Sequence, residues 1–141
     1  HAYQAAMAEA ASGVAPFARS VLHVGEVRCD GDKMAKSTGN LRLVADLLER
    51  FSGPAVRLAL LNRPWHEPWD CTDEVFEEAT EVLDRLHAAA GQSSAGPADG
   101  PARTEVLRLL AHELDVPAAV AHALQSGPEA ARFLLALLKL R

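Results

Sequence analysis

The sequence predicts a mostly α-helical chain with a small β portion, and three observations support that class. Apolar residues recur at helical spacing along most of the 141 residues, as they do in amphipathic helices. Ser52-Gly53-Pro54 and Thr72-Asp73-Glu74 are helix-start signals that stand just before two of these stripes. Residues 21–30 alternate in the way that is typical of strands. The length suits one modest domain or two small pieces.

The first forty residues are predicted to form a helix, a short two-stranded region and a loop. Residues 2–12 are rich in alanine and should be helical until a glycine and a proline follow. Residues 21–26 are interpreted as a first short strand and residues 27–30 as a second one. Asp30-Gly31-Asp32 then turns the chain into a loop that contains two lysines.

Three helices are predicted between residues 41 and 90. Asn40 stands where it can cap a helix over about 41–51. Ser52-Gly53-Pro54 starts the next helix, because proline suits the first helical position. Thr72 is the predicted N-cap of the third helix, which should run to about residue 90.

The C-terminal third is predicted to be a linker followed by short helices. Residues 91–101 form a flexible linker by composition, since glycine, serine and proline dominate there. Helices are expected at about 102–114, 117–125 and 128–140. The last of them is apolar on more than one side, so we expect it to pack against another part of the protein.

Charge and cysteine content narrow the range of functions. The net charge is −5 with both signs interspersed, which argues against non-specific nucleic-acid binding and against a polybasic membrane anchor. No apolar run approaches the roughly 20 residues that a membrane helix needs. The two cysteines, Cys29 and Cys71, are expected to be free or buried thiols, which favours a reducing, cytoplasmic location.

The most informative segment runs from Lys33 to Asn40 and reads KMAKSTGN. Lysine ammonium groups on long stems can follow negative charge as it builds on a phosphate. The hydroxyls of Ser37 and Thr38 can donate to phosphate oxygens, and Gly39 lets the backbone come close. This pattern predicts a mobile loop that grips a polyphosphate and stabilises charge on departing pyrophosphate. A bare pair of lysines three residues apart is more often an ordinary surface loop, so the neighbouring motifs decide.

Three motifs together carry a family resemblance. Phe17-Ala18-Arg19, the segment His23 to Val27 and the segment Asp30 to Asn40 resemble the second signature region of cysteine-activating class I synthetases. Two families share that layout: cysteinyl-tRNA synthetase, and mycothiol ligase, which joins cysteine to glucosaminyl-inositol. The resemblance implies the C-terminal remainder of a Rossmann-like class I catalytic domain, followed by a helical bundle.

The resemblance also implies a division of the chain. Residues 1–40 would end the nucleotide-binding catalytic domain and carry its KMSKS-like lysine loop. Residues 41–90 would form a helical connecting region, similar to the part of the family that contacts a tRNA stem. Residues 91–101 would be the linker and residues 102–141 a short C-terminal helical region.

Individual residues acquire roles from the same resemblance. The ATP-binding residues would be His23, Gly25, Val27, Lys33, Met34, Lys36 and Ser37. Among them, Lys33, Lys36 and Ser37 would be catalytic, because two ammonium groups would neutralise pyrophosphate and the hydroxyl would assist them. The alternative for the residues before the loop is ordinary strand packing. We expect no metal site in this chain.

Three departures from the family pattern matter. Ala35 replaces the central serine of the loop, so one hydroxyl donor is missing, and Ala2 stands in place of a glutamate. The family's N-terminal half, which holds ATP and supplies zinc ligands, has no counterpart in the sequence. His1 matches the second histidine of a segment whose first histidine is a zinc ligand in the family. We therefore expect a fragment that requires a missing N-terminal half, with the zinc ligands largely absent.

The function that the resemblance implies is ATP-dependent ligation. Cysteine would be activated as an adenylate and transferred to the amine of glucosaminyl-inositol, in mycothiol biosynthesis. The first helix and the short C-terminal region favour this acceptor, as does Gln4, which stands where the tRNA enzyme would supply a zinc-binding glutamate. Two alternatives stay open: a cysteinyl-tRNA synthetase fragment, with tRNA as a less favoured acceptor, and a non-catalytic remnant or split subunit that needs an N-terminal partner.

Overall fold

The computed structural model describes residues 2–93 and 100–141 of the chain. Its elements are α1 (Ala2–Ser12), β1 (Val27–Cys29), β2 (Asp32–Lys33), a 3₁₀ turn (Lys36–Thr38), α2 (Val44–Leu48), α3 (Gly53–Leu61), β3 (Trp69–Asp70), α4 (Asp73–Gly91), α5 (Pro101–Ala111), α6 (Val116–Gln125) and α7 (Pro128–Leu137). The described part is mostly helical with one small sheet, so the predicted class is confirmed at that level. His1 and most of the predicted linker lie outside the described residues.

Two central helices begin where the sequence signals predict. Ser52 caps α3, because its Oγ accepts a hydrogen bond from the Ala55 N–H at 3.2 Å while a proline occupies the first turn. α4 begins directly after Thr72. Asp73 and Glu74 lie in its first turn, where carboxylates interact favourably with the positive end of the helix dipole.

One hydrophobic core joins α3 and α4 to the three C-terminal helices. α4 packs against α3, α6 and α7, and α5 packs against α6 and α7. The largest fully buried side chains are Phe76, Leu58, Leu86, Leu134, Leu140 and Val106. The predicted packing of the last helix is confirmed, since α7 contacts three other helices. Among the described residues, no helix has the length and apolar content that crossing a bilayer requires.

The strands form a small sheet in the order β2-β1-β3. β1 pairs antiparallel with β2 and parallel with β3, where Val27 lies opposite Trp69. Asp30 (φ 55°) and Gly31 (φ 82°) make the turn between β1 and β2 in the left-handed region. The Gly31 N–H donates to the Asp70 carboxylate at 2.9 Å, so this turn is held against β3.

The strand predicted over residues 21–26 is wrong, whereas the strand predicted over 27–30 is confirmed as Val27–Cys29. Residues 21–24 are exposed, so the apolar alternation there does not mark a buried face. β3 has no counterpart in the sequence prediction, because two residues carry no periodic signal.

The helix predicted over 41–51 is shorter, and its predicted cap is wrong. α2 spans Val44–Leu48, and Leu43 is its N-cap residue. The side chain of Asn40 makes hydrogen bonds within the preceding loop instead. A competing local use of the amide group therefore removes the cap that the sequence suggested.

The N-terminal segment, residues 2–24, begins with the predicted helix but packs little against the bundle. α1 has no buried residue. Several large apolar side chains of this segment are exposed, namely Tyr3, Met7, Val14, Phe17, Val21, Leu22 and Val24. An apolar surface of this kind usually contacts another part of a protein or a partner.

Candidate functional site

The loop from Lys33 to Asn40, hereafter the lysine loop, leaves the sheet at the end of β2. After Lys33 the chain makes a 3₁₀ turn over Lys36–Thr38. Gly39 closes that turn at φ 71°, a left-handed conformation that glycine adopts without strain. The shape of the loop therefore explains this glycine independently of any ligand.

Asn40 joins the two ends of the lysine loop through its side chain. Its Oδ1 accepts hydrogen bonds from the Ala35 N–H at 2.9 Å and from the Thr38 hydroxyl at 2.6 Å. Its Nδ2 donates to the Lys33 carbonyl at 3.2 Å. One half-buried amide group thus connects three separate residues of the loop.

The three residues predicted to be catalytic lie on this loop and are exposed to solvent. Lys33 Nζ lies 3.4 Å from Glu26 Oε2, yet the Lys33 side chain remains 71% exposed. Lys36 and Ser37 are exposed on the 3₁₀ turn. Solvated ion pairs contribute little, so both ammonium groups are free to move toward a polyanion.

Two of the predicted ATP-binding residues direct their side chains toward the protein interior. Val27 and Met34 are half-buried and pack against the hydrophobic core. The Met34 N–H donates to the Val27 carbonyl at 3.0 Å, which continues the pairing of β1 and β2. These side chains attach the hairpin to the core, so we expect any ligand contact at either residue to involve backbone atoms.

Gly25 lies where two backbone segments almost touch. A Cβ at this position would fall 1.9 Å from the Glu67 carbonyl oxygen. The Gly25 N–H donates to the Trp65 carbonyl at 2.8 Å. Close packing against the loop between Pro64 and Pro68 therefore requires a glycine here, a reason that the sequence alone does not reveal.

His23 occupies a different groove from the lysine loop. It is exposed and lines an apolar groove of about 540 Å³, whose other walls include Gln4, Phe17 and Val24. The structure therefore brings Val27, Lys33 and Met34 together in one hairpin, with Lys36 and Ser37 on the loop that follows, while His23 faces α1.

An ion-pair cluster that the sequence does not predict anchors the segment just after the lysine loop. Asp73 Oδ1 and Oδ2 lie 2.6 Å from Arg42 Nη1 and from Arg50 Nη1, respectively. Hydrogen bonds from Arg50 and Arg42 hold the pKa of the Asp73 carboxyl below its ordinary value of 3.8. The same bond to Asp73 raises the pKa of Arg42. The two arginines lie 31 and 23 positions before Asp73 in the sequence, so no local sequence pattern predicts these ion pairs.

The described residues do not fit a zinc ion. A structural zinc site needs four nitrogen or sulfur ligands around one point. In residues 2–93 and 100–141, no three histidine, cysteine or acidic side chains converge in that way. Cys29 and Cys71 are free thiols, as predicted, and burial raises the pKa of the Cys71 thiol.

Comparison with known families shows which family the chain belongs to. The model of the tRNA synthetases class I (C) catalytic domain matches residues 1–81. This chain belongs to that family. The resemblance inferred from the three motifs is thereby confirmed. The matched residues include the whole lysine loop, the sheet and α3.

Curated relatives of the chain carry two kinds of name. The L-cysteine:1D-myo-inositol 2-amino-2-deoxy-alpha-D-glucopyranoside ligase of Streptomyces griseus subsp. griseus is 43% identical over 122 residues, which are 86% of this chain and 30% of the relative. The ligase of the same name from a Parafrankia species is 45% identical over 122 residues, 86% of this chain and 27% of the relative. The cysteine–tRNA ligase of Paramagnetospirillum magneticum is 39% identical over 125 residues, which are 86% of this chain and 27% of the relative. The chain therefore spans about three tenths of the length of these relatives.

Proposed function

We propose that this chain contributes the lysine loop of an ATP-dependent ligase, which activates cysteine as an adenylate and transfers it to the amine of glucosaminyl-inositol. The lysine loop is the observation that supports the proposal best. Lys33 and Lys36 extend into solvent from a backbone that Asn40 holds together. Membership of the synthetase family supports the ligase chemistry.

The role of the loop in this proposal follows from the movement of charge. The cysteine carboxylate attacks the α-phosphate of ATP, the bond to the β-phosphate breaks, and negative charge grows on the departing pyrophosphate. Lys33 and Lys36 neutralise that charge, and the Ser37 hydroxyl donates to a phosphate oxygen. Because Ala35 has no hydroxyl, the two lysines carry most of the stabilisation in this loop. The described residues provide no zinc ligand set, so any zinc in the full ligase would be held by residues outside them.

The remaining part of the catalytic site would come from residues outside this sequence. The chain spans about three tenths of its relatives, and residues 2–24 expose an apolar surface that a neighbouring part of a catalytic domain would cover. Those residues would belong to the same polypeptide or to a partner chain, as in a split enzyme. Residues 1–141 alone would then form no adenylate.

The similarity to relatives bears on the acceptor. Ligases named for the inositol glucosamine substrate are 43% and 45% identical to the chain. The cysteine–tRNA ligase at 39% identity makes a tRNA acceptor the second candidate. The net charge of −5 favours the small acceptor, because tRNA-binding surfaces are generally basic. The third alternative is a non-catalytic remnant, in which the lysine loop is an ordinary solvated surface.

The test uses the natural polypeptide that carries these residues. Cysteine-dependent exchange between ATP and labelled pyrophosphate is measured first, and the same protein is then given cysteine, ATP and either glucosaminyl-inositol or tRNA for cysteine. We expect exchange, followed by cysteinylation of the amino sugar. Exchange with cysteinylation of tRNA alone would replace this acceptor by the second candidate. Absence of exchange would contradict the ligase proposal.

A further inference from the structure

We propose that Asn40 is a positioning residue, which holds the lysine loop in the shape from which Lys33 and Lys36 act. This inference rests on the function proposed above. It starts from the hydrogen bonds of one amide group, which accepts from Ala35 N–H at 2.9 Å, accepts from the Thr38 hydroxyl at 2.6 Å and donates to the Lys33 carbonyl at 3.2 Å. Asn40 lies outside the stretch that would contact phosphate, so its effect would be exerted through the loop.

The groups that bond to Asn40 lie at or next to the two lysines in the sequence. Lys33 is held through its own carbonyl, and Lys36 lies between Ala35 and Thr38, which are both bonded to Asn40. The Thr38 hydroxyl also lies 2.8 Å from the Ala35 carbonyl, and its single hydrogen can be donated to either acceptor. Loss of the amide would therefore remove side-chain bonds on both sides of Lys36 and loosen the loop, while the backbone bonds of the 3₁₀ turn and the two ammonium groups remain.

The first readout is protease access, which does not depend on activity. Trypsin cleaves after lysine, so native cleavage after Lys33 and Lys36 reports how often the loop opens. In the natural polypeptide, we expect Asn40→Ala to raise that cleavage rate about tenfold, because about one net hydrogen bond or more is lost. Thr38→Val removes only one bond and should give a smaller increase. Gln125→Ala, at an exposed amide on α6, is the matched control.

The second readout separates positioning from general stability. In pyrophosphate exchange, Asn40→Ala should lower the maximal rate and leave the KM for cysteine unchanged, since the cysteine site is not part of the loop. Unchanged cleavage in both Asn40→Ala and Thr38→Val would overturn the inference. Faster cleavage in a protein that shows no exchange even as wild type would support the hydrogen-bonded loop while contradicting the proposed function. The two failures are thus distinguishable.

A separate observation carries a second inference, which concerns the two thiols. We infer that Cys29 and Cys71 form a disulfide when the protein meets hydrogen peroxide. In the parallel pairing of β1 with β3, Arg28 lies opposite Asp70. The next pair in that register is Cys29 and Cys71, and the Cys71 N–H donates to the Arg28 carbonyl at 2.8 Å.

Strand geometry places both thiols on one face of the sheet. Residues two apart on a strand share a face. Val27 and Trp69 pack against the core, so Cys29 and Cys71 also belong to the core-facing side. Neighbouring strands lie about 4.8 Å apart, which is inside the range of about 4.4–6.8 Å that disulfides span between Cα atoms. Cys71 is buried and Cys29 is half-buried, so peroxide reaches Cys29 first.

The reaction balances with peroxide as the oxidant. The Cys29 thiolate attacks one peroxide oxygen, the O–O bond breaks, and a sulfenic acid forms with release of hydroxide, which takes up a proton as water. The Cys71 sulfur then attacks the Cys29 sulfur and displaces hydroxide, which takes up the Cys71 proton. Two thiols and one peroxide give one disulfide and two water molecules.

The test is mass spectrometry of the natural polypeptide after treatment with an equimolar amount of peroxide. We expect a mass loss of about 2 Da, for two hydrogens, and a non-reduced peptide that joins the two cysteines. Cys29→Ser and Cys71→Ser each replace one sulfur atom by oxygen, at a half-buried and a buried position, respectively. Either variant should abolish the cross-linked peptide. A gain of oxygen without cross-linking, or no change, would overturn the inference.

Discussion

Gly25 lies where the chain ahead of β1 crosses the loop between Pro64 and Pro68. Its N–H is bonded to the Trp65 carbonyl, and a methyl group at its Cα would overlap the Glu67 carbonyl. This contact sets the direction from which the hairpin that carries the lysine loop enters the sheet. Gly25 is therefore needed for its lack of a side chain, which lets the two backbone segments approach closely.

Gly25→Ala should destabilise the protein, because the clash is with backbone rather than with a flexible side chain. Overpacking of this kind costs about 1–3 kcal/mol. Urea denaturation measures the change. Gly91→Ala is the control, since a Cβ there meets open space and the position lies at the end of α4. An unchanged free energy of unfolding for Gly25→Ala would contradict the close approach.

Asp73 makes stability depend on pH in a predictable direction. Its pKa in the folded protein lies below its ordinary value of 3.8, chiefly because Arg50 and then Arg42 donate hydrogen bonds to it. A lowered carboxyl pKa contributes stability above the unfolded value, and that contribution is lost as pH falls through the folded value. The stability advantage of the wild type over Asp73→Asn should therefore shrink as pH falls from about 5 to about 2.

Thermal unfolding of both proteins across that pH range measures the difference. Glu74 and Glu105 also have lowered pKa values, from hydrogen bonds to Thr72 and Arg108, respectively. The effect of Glu105 is the same in both proteins and cancels. The charge of Asp73 raises the pKa of Glu74, so its removal in Asp73→Asn lowers that pKa further. A difference that does not vary with pH would show that the ion-pair cluster contributes nothing through the charge of Asp73.

Single residues of the candidate site were predictable where chemistry is local. Lys33, Lys36 and Ser37 stand within five positions of one another, and the structure places them on one exposed loop, while their catalytic roles stay predictions. The reason for Gly25 and the partners of Asp73 were not predictable, because each depends on a contact between segments far apart in sequence.

At the scale of elements, the helices after residue 52 obey their local signals. Ser52 accepts a hydrogen bond from the Ala55 N–H, and proline occupies the first turn of α3. This turn supports Ala55 and Val56, which are buried in the core. The start of α3 is therefore fixed both by capping and by burial.

Ser52→Ala should lower the free energy of unfolding by about 1 kcal/mol, because a backbone N–H of α3 loses its acceptor. Ser52→Asp keeps an acceptor and should retain most of the stability. Chemical denaturation of the three proteins gives the comparison. Equal losses for both variants would mean that packing, rather than the cap, fixes the start of α3.

The strands and α2 show where local signals fail. Residues 21–24 alternate yet are exposed, and β3 is too short to have a period. Asn40 resembles a cap in sequence but bonds to the lysine loop in the structure. In each case the surroundings of the segment, rather than its own sequence pattern, determine its structure.

At the scale of the whole molecule, α4 and the C-terminal helices share one core. Leu134 on α7 and Phe76 and Leu86 on α4 are fully buried, and α4 and α7 are in contact. The division at residues 91–101 that the sequence predicts therefore separates segments whose apolar faces pack together. We expect these helices to unfold as one unit.

Leu134→Ala should lower stability by about 2–5 kcal/mol, as core truncations to alanine do. Fluorescence of Trp65 and Trp69 and helical circular dichroism should follow coincident transitions in urea, although both tryptophans lie outside α7. Leu137→Ala, at a half-exposed position of the same helix, should cost much less. Separate transitions for the two probes would indicate that the C-terminal helices are an independent unit.

The central claim is that the lysine loop stabilises departing pyrophosphate, and pyrophosphate exchange tests it most directly. Lys36→Ala and Lys139→Ala are compared in the natural polypeptide. Within residues 1–141, Lys139, at the C-terminal end of the bundle, is the one lysine outside the loop. Cysteine-dependent exchange should fall about 10²–10³-fold in Lys36→Ala, the usual effect of losing a transition-state contact, and remain at the wild-type rate in Lys139→Ala. Equal exchange rates in the two variants would contradict the account.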